Sequence, residues 1–163
     1  MRQLVPVLAI LLWLSGAAHA QDPKAVVDAF YRDYQKWDQA DRRDWSELMN
    51  VQKGRMEPEL FSLLADISDN DPRKDDAWLD FDPFTNSQMN AATIRVDPAR
   101  MEGPKAFVPV FMSYRAPGHE QLGVEVVLRQ DGSAWKIANF KYPARDGSPS
   151  WNLKDWLKMV LKR

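Results

Sequence analysis

Three apolar segments between Lys105 and Tyr142 constrain this chain more than any other stretch. They run over Ala106–Tyr114, Leu122–Gln130 and Ala134–Tyr142. Between them lie Ala116-Pro117-Gly118-His119 and Asp131-Gly132, turn chemistry that reverses a chain sharply. Read together, they predict an antiparallel meander. In the second segment Leu122, Val124, Val126 and Leu128 fall on one face, with Glu125, Val127 and Arg129 on the other. That alternation predicts one buried side and one wet side. The first segment is apolar on both faces, which predicts cover from helices or from the domain mouth. In the third, alternation sets Trp135 and Ile137 against Ala138, Phe140 and Tyr142.

The flanking regions read as helices that cover this sheet. Asp22-Pro23 is a favoured helix start, since the carboxylate accepts from orphan N–H groups and proline at the first position loses no hydrogen bond. Val26, Val27, Phe30, Tyr31, Tyr34 and Trp37 then recur at helical spacing. Asp41 is read as the cap of a short second helix carrying Trp45, Leu48 and Met49, with Gly54 at its end. Pro58 opens a third helix, with Leu60, Leu63, Leu64 and Ile67 in an i, i+3, i+4, i+7 pattern. Periodicity fails from Ser68 to Asn90, where six aspartates alternate with Trp78, Leu79, Phe81 and Phe84. Large apolar groups do not suit a disordered linker, so an ordered loop is expected. Ala92–Val96 reads as an edge strand ended by Asp97-Pro98, and Met101–Pro104 as a turn. After the meander, Trp151–Leu161 reads as a closing helix with an apolar stripe of Leu153, Trp156, Leu157, Val160 and Leu161. The fold class is therefore α+β: a curved antiparallel sheet of three long strands and a short edge strand, packed by N-terminal helices and closed by a C-terminal one.

The first twenty residues stand outside that domain. Arg2, the apolar run Leu4–Leu14 and Ala18-His19-Ala20 have the layout of a cleaved secretory signal. The run is short of the roughly 20 residues that span a bilayer, so no stable membrane anchor is expected. Residues 21–163 then form one domain, periplasmic or secreted. Losing Arg2 leaves 21 of the 22 basic residues against 23 acidic ones, which speaks against a general nucleic-acid binder. The chain has no cysteine, so its core rather than disulfides must hold it together.

Several of these pieces, taken in order, resemble a known family. They are the Ala29-Phe30-Tyr31 helix, the Leu60–Leu64 helix, Asp82-Pro83-Phe84, the strand beginning Trp135-Lys136-Ile137-Ala138-Asn139-Phe140, and a leucine-bearing last helix. The combination resembles the nuclear transport factor two-like (cystatin-like) superfamily, and more narrowly is similar to the exported bacterial family called domain of unknown function 3828. That resemblance implies a cone-shaped sheet. It brings no catalytic residues with it. Relatives of that kind can be lipoproteins, whereas this chain lacks the acceptor cysteine.

The residue inventory excludes more chemistry than it suggests. Without the leader, His119 is the one histidine, and it sits in a predicted turn. Thiolate–histidine nucleophiles, structural zinc and multi-histidine metal sites are thereby excluded. A calcium loop starting at Asp69 would need glycine where Lys74 stands and glutamate where Asp80 stands. No metal and no cofactor is expected. Asp80-Phe81-Asp82-Pro83-Phe84 has two readings. In one, Asp80 and Asp82 bind a polar ligand at the rim of the cone. In the other, Asp82 caps a turn at Pro83, takes bonds from Phe84 or Thr85, and lets Phe84 plug the core. The superfamily resemblance also implies a ketosteroid-isomerase-like option, which needs a carboxyl group raised by burial beside a tyrosine. Tyr34, Tyr114, Asp80 and Glu125 are its candidates, and Glu125 falls on the wetter strand face. Trp78, Trp151 and Phe84 are candidate partner contacts, because tryptophan is enriched in binding hot spots. The basic last helix could instead touch anionic lipid. The expected role is an envelope binding protein, an adaptor or an immunity-type module whose partner is another envelope or secreted protein. The alternative is a small-ligand binder or an isomerase- or dehydratase-like enzyme using the cone interior.

Overall fold

The computed structural model describes residues 21–70, 81–115, 118–145 and 147–161. Asp22 accepts from the Lys24 N–H at 3.0 Å and opens α1, Pro23–Asp38. The second helix, α2, spans Trp45–Gln52 and is capped by Asp44, which takes the Ser46 N–H at 2.8 Å. Asp41, the cap expected from sequence, is three residues too early. A short 3₁₀ turn, Lys53–Arg55, follows and contains Gly54. Pro58 begins α3, Pro58–Asn70, as its sequence predicts. The strands are β1 Thr93–Val96, β2 Arg100–Glu102, β3 Lys105–Ser113, β4 Gln121–Asp131, β5 Ala134–Tyr142 and β6 Trp151–Asn152. The last helix, α4, is Leu153–Val160. Among the described residues this is an α+β fold of four α-helices and a curved, open antiparallel sheet of six strands. No described helix is long and apolar enough to cross a membrane.

The sheet order is β1-β3-β4-β5-β6, with β2 also on β3. The edge beside β3 is thus built in two pieces: β1 pairs with its second half and β2 with its first. Met101, expected in a turn, lies in β2 opposite Ala106. The break between the two pieces explains Pro109, a proline inside a central strand. Its carbonyl accepts from the Asp97 N–H at 3.0 Å. In an antiparallel strand a residue's N–H points the same way as its C=O. The missing donor of Pro109 therefore faces the gap at residues 97–99, where no ladder bond is lost.

Two bulges alter what alternation predicts. Val110 pairs with Val124 but Phe111 with Leu122, which leaves Gly123 as the extra residue. A Cβ at Gly123 would come within 2.7 Å of the buried Met112 sulfur, so the absence of a side chain there is used. Leu122 is thereby moved opposite Phe111, off the row of Val124, Val126 and Leu128 to which alternation assigned it. Likewise Val127 pairs with Asn139 and Leu128 with Ile137, making Ala138 the extra residue in β5. The slip brings Phe140 and Tyr142 onto the same face as Trp135 and Ile137, against the expected opposition, and all four are buried. A bulge does this because it inserts one residue into a period of two.

The inner face of the sheet meets α1, α3 and α4. Phe30, Phe84 and Phe140 meet at its centre, with ring centroids 5.0–5.5 Å apart. Phe107 and Phe111 point the other way. They are covered neither by helices nor by a domain mouth but by cations. Arg95 lies 4.5 Å over Phe111, Arg100 lies 4.5 Å over Phe107, and Lys141 sits 5.4 Å from the latter. Both arginines stand directly across β3 from the ring they cover.

Candidate functional site

All four tyrosines of the chain end on one loop. Tyr31 donates to the Phe84 carbonyl at 2.7 Å, Tyr142 to the Pro83 carbonyl at 2.9 Å and Tyr114 to the Thr85 carbonyl at 2.7 Å. Tyr34 donates to Asp82 Oδ2 at 2.8 Å. The other carboxylate oxygen of Asp82 accepts from the N–H of Phe84 at 2.7 Å and of Thr85 at 3.2 Å. Asp82 also closes the loop with its backbone, donating to Ser87 O at 2.8 Å and accepting from Asn86 N at 2.8 Å. Asn86 takes the left-handed φ of 55° needed to turn back. Asn is one of the few side chains that tolerate it.

The loop is pressed inward because Phe84 is fully buried in the core. Pulling that ring inside drags the flanking carbonyls with it, and a buried carbonyl must find a donor. The long tyrosines of α1, β5 and the end of β3 reach it from three sides. Burial pushes the phenols of Tyr31, Tyr142, Tyr34 and Tyr114 above their ordinary range, with the Asp82 charge adding to the effect. Asp82 itself is raised, chiefly by desolvation and against the pull of its N–H and phenol donors. The Thr85 hydroxyl is buried in this network beside the Tyr34 phenol, but makes no hydrogen bond of good geometry.

Of the residues singled out from sequence, Tyr34, Tyr114 and Asp82 are brought together here. Phe84, offered as a partner contact, is instead the core plug of the capping reading, since a ring with no exposed surface meets no partner. Trp151 is half-buried, 4.1 Å from Tyr142 and 5.4 Å from Phe81 by ring centroids. Trp78 and Asp80 lie outside the described residues. Glu125 is on the outer face, as alternation indicates, 3.5 Å from both Arg100 and Lys141. His119 is exposed. Sequence reading missed Tyr31 and Tyr142 as members of the cluster. Its available signal was that a tyrosine on a buried stripe needs a partner for its hydroxyl.

A second feature lies on the opposite side of the sheet. A groove of about 380 Å³ crosses β3, β4 and β5 to the start of α4. Phe107, Val127 and Ala138 line it together with Lys105, Arg129, Lys141 and Lys154, and Asp155 is its one acidic residue. At its α4 end the Asn139 side-chain oxygen Oδ1 accepts from the Lys154 backbone N–H at 2.9 Å, and its Nδ2 donates to Asn152 Oδ1 at 2.8 Å.

No family model, curated protein or solved structure matches this chain. Fold and geometry define an α+β domain with a tyrosine-clamped loop against its core and a cationic groove on its outer sheet face.

Proposed function

We propose that this chain is an exported, non-catalytic binding protein of the bacterial envelope, a protein-interaction module of the adaptor or immunity kind. It reaches the periplasm or the exterior through a leader cleaved near Ala20, and its fold is a cone of the nuclear transport factor two-like kind. One observation carries this reading. The polar groups best suited to chemistry, four phenols and the Asp82 carboxylate, all hold the chain's own loop. The groups turned toward solvent are instead the cations and stacked rings of the outer sheet face. Surfaces of that make-up suit recognition by contact. Crosslinking in intact cells followed by purification of the tagged protein is expected to recover one reproducible protein partner. Recovery of none across independent preparations would sink the reading.

A second reading keeps the isomerase-like option. Its favouring observation is the raised carboxyl of Asp82 with the Tyr34 phenol 2.8 Å away. Protein fluorescence titrated with a small apolar ketone tests it. Quenching that saturates in wild type and disappears in Tyr34→Phe would support a cavity site, and no saturation would remove it.

A further inference from the structure

The groove on the outer sheet face has a charge that its neighbours do not cancel. Four cations and one carboxylate line it, in a chain whose formal net charge is −1. Lys105 has no ionic partner among the described residues and is exposed. Arg129 reaches Glu57 only at 3.7 Å, and that carboxylate is shared with Lys154 at 3.3 Å. Lys141 reaches Glu125 at 3.5 Å, which is shared with Arg100. Asp155 is engaged by the Asn152 amide at 2.7 Å. Lys154 is largely buried between Glu57 and Glu59, so the charge left facing water in the groove is that of Lys105, Arg129 and Lys141.

Their layout selects among anions. Lys105 and Arg129 face each other across β3 and β4, while Lys141 stands opposite Glu125, four residues further along β4 and one strand over. Neighbouring strands are about 4.8 Å apart and alternate residues about 7 Å, so these charges ring the groove rather than converge on a point. A single phosphate would reach one or two of them. The floor between the charges is Phe107, Val127 and Ala138, and the Arg100 guanidinium and Lys141 ammonium lie over the Phe107 ring. A groove walled by cations and floored by apolar groups fits an apolar side chain and is poorly shaped for a flat lipid surface. From this we infer that the groove docks an acidic, extended polypeptide segment whose carboxylates flank an apolar side chain. The assignment rests on the binding-protein reading above and names the chemistry of the partner.

The test uses the full mature protein and a fluorescein-labelled nonapeptide alternating glutamate with phenylalanine, followed by anisotropy at low salt. Wild type is expected to bind it, with affinity falling steeply as salt rises. Lys105→Glu combined with Arg129→Glu should weaken binding at least tenfold. Lys24→Glu combined with Lys36→Glu, the same charge change on α1, should weaken it no more than about threefold, the long-range share of the same charge change. Circular dichroism and urea midpoints confirm that both variants fold. Equal binding by wild type and the groove variant would overturn the assignment. So would equal binding of a lysine–phenylalanine peptide, displacement by millimolar inorganic phosphate, or uptake by phosphatidylglycerol vesicles with no binding of peptide. Repeating the cell crosslinking with the groove variant separates the two claims. A partner still captured by that variant refutes the groove and leaves the binding role standing. Peptide binding with no partner in cells does the reverse.

Discussion

The convergence of Tyr31, Tyr34, Tyr114 and Tyr142 on residues 82–85 makes separate, unequal claims on stability. Removing the Tyr31 or Tyr142 hydroxyl leaves a carbonyl deep in the core without its donor, and such a group costs about 1–3 kcal/mol. Tyr114 is only half-buried, so water replaces its hydroxyl at the Thr85 carbonyl. Urea unfolding is expected to place Tyr31→Phe and Tyr142→Phe about 1–2 kcal/mol below wild type, and Tyr114→Phe within about 0.5 kcal/mol. An equal loss at all three would mean that burial does not set the cost. Thr85 runs the opposite way. Its hydroxyl is buried beside the Tyr34 phenol without a well-formed hydrogen bond, so Thr85→Val removes a desolvated polar group and keeps the shape. That variant should be neutral or more stable by up to about 1 kcal/mol, and a loss above that would show a partner the geometry lacks.

Between elements, the clearest joint is the one that holds α4 to the start of α3. Lys154 is largely buried, 2.7 Å from Glu59 and 3.3 Å from Glu57, and Lys158 adds a contact to Glu59 at 2.6 Å. The two lysines, Lys154 first, hold the Glu59 carboxyl down at about 2. A depressed carboxyl stabilises the fold above its unfolded range and loses that contribution as pH falls toward its folded value. Here the window runs from about 4.3 down to 2. Because Glu59 is about half exposed, solvent screening limits the effect to less than 1 kcal/mol. Lys154→Ala also strands the better-buried Glu57 and is expected to cost about 1–3 kcal/mol, against under 0.5 for Lys158→Ala. Chemical denaturation compares them directly. This joint was not legible in the sequence, because α3 and α4 lie some ninety residues apart and nothing local relates Lys154 to Glu57. What was legible was local. Pro58, Asp22 and the limits of β5 follow from caps and turns within a few residues of each other. Asp82 as a cap could be read from the three letters that follow it. The bulges at Gly123 and Ala138 could not, since a bulge is set by the partner strand and alternation has no symbol for an inserted residue. Nor could β6, two residues long and absorbed by sequence into the helix after it. The tyrosine cluster was half visible. The need of each buried phenol for a partner follows from chemistry, but the partners lie 29 to 59 residues away.

Because one loop holds all four phenols, the molecule responds to alkali as a unit. Each tyrosine has its pKa raised by burial, so each stays protonated in the folded state at a pH where the unfolded chain would ionise. A raised pKa contributes stability that is fully present below the unfolded value, near 10, and is lost as pH climbs from there toward the folded value. Stability therefore begins to fall above about pH 10, and the chain unfolds before the buried phenols ionise in place. The ultraviolet absorbance of tyrosinate, followed against pH, should rise little near 10, with half-buried Tyr114 the first to ionise above it. The remainder should appear in one steep step that coincides with loss of the far-ultraviolet circular dichroism signal. In Tyr114→Phe the early rise should vanish and the step should stay. A smooth titration of several tyrosines near pH 10 with the fold intact would mean that the 82–85 loop opens freely to solvent. The clamp would then be a gate rather than part of the core, and the case for a ligand site behind Tyr34 and Asp82 would gain what the binding-protein reading loses.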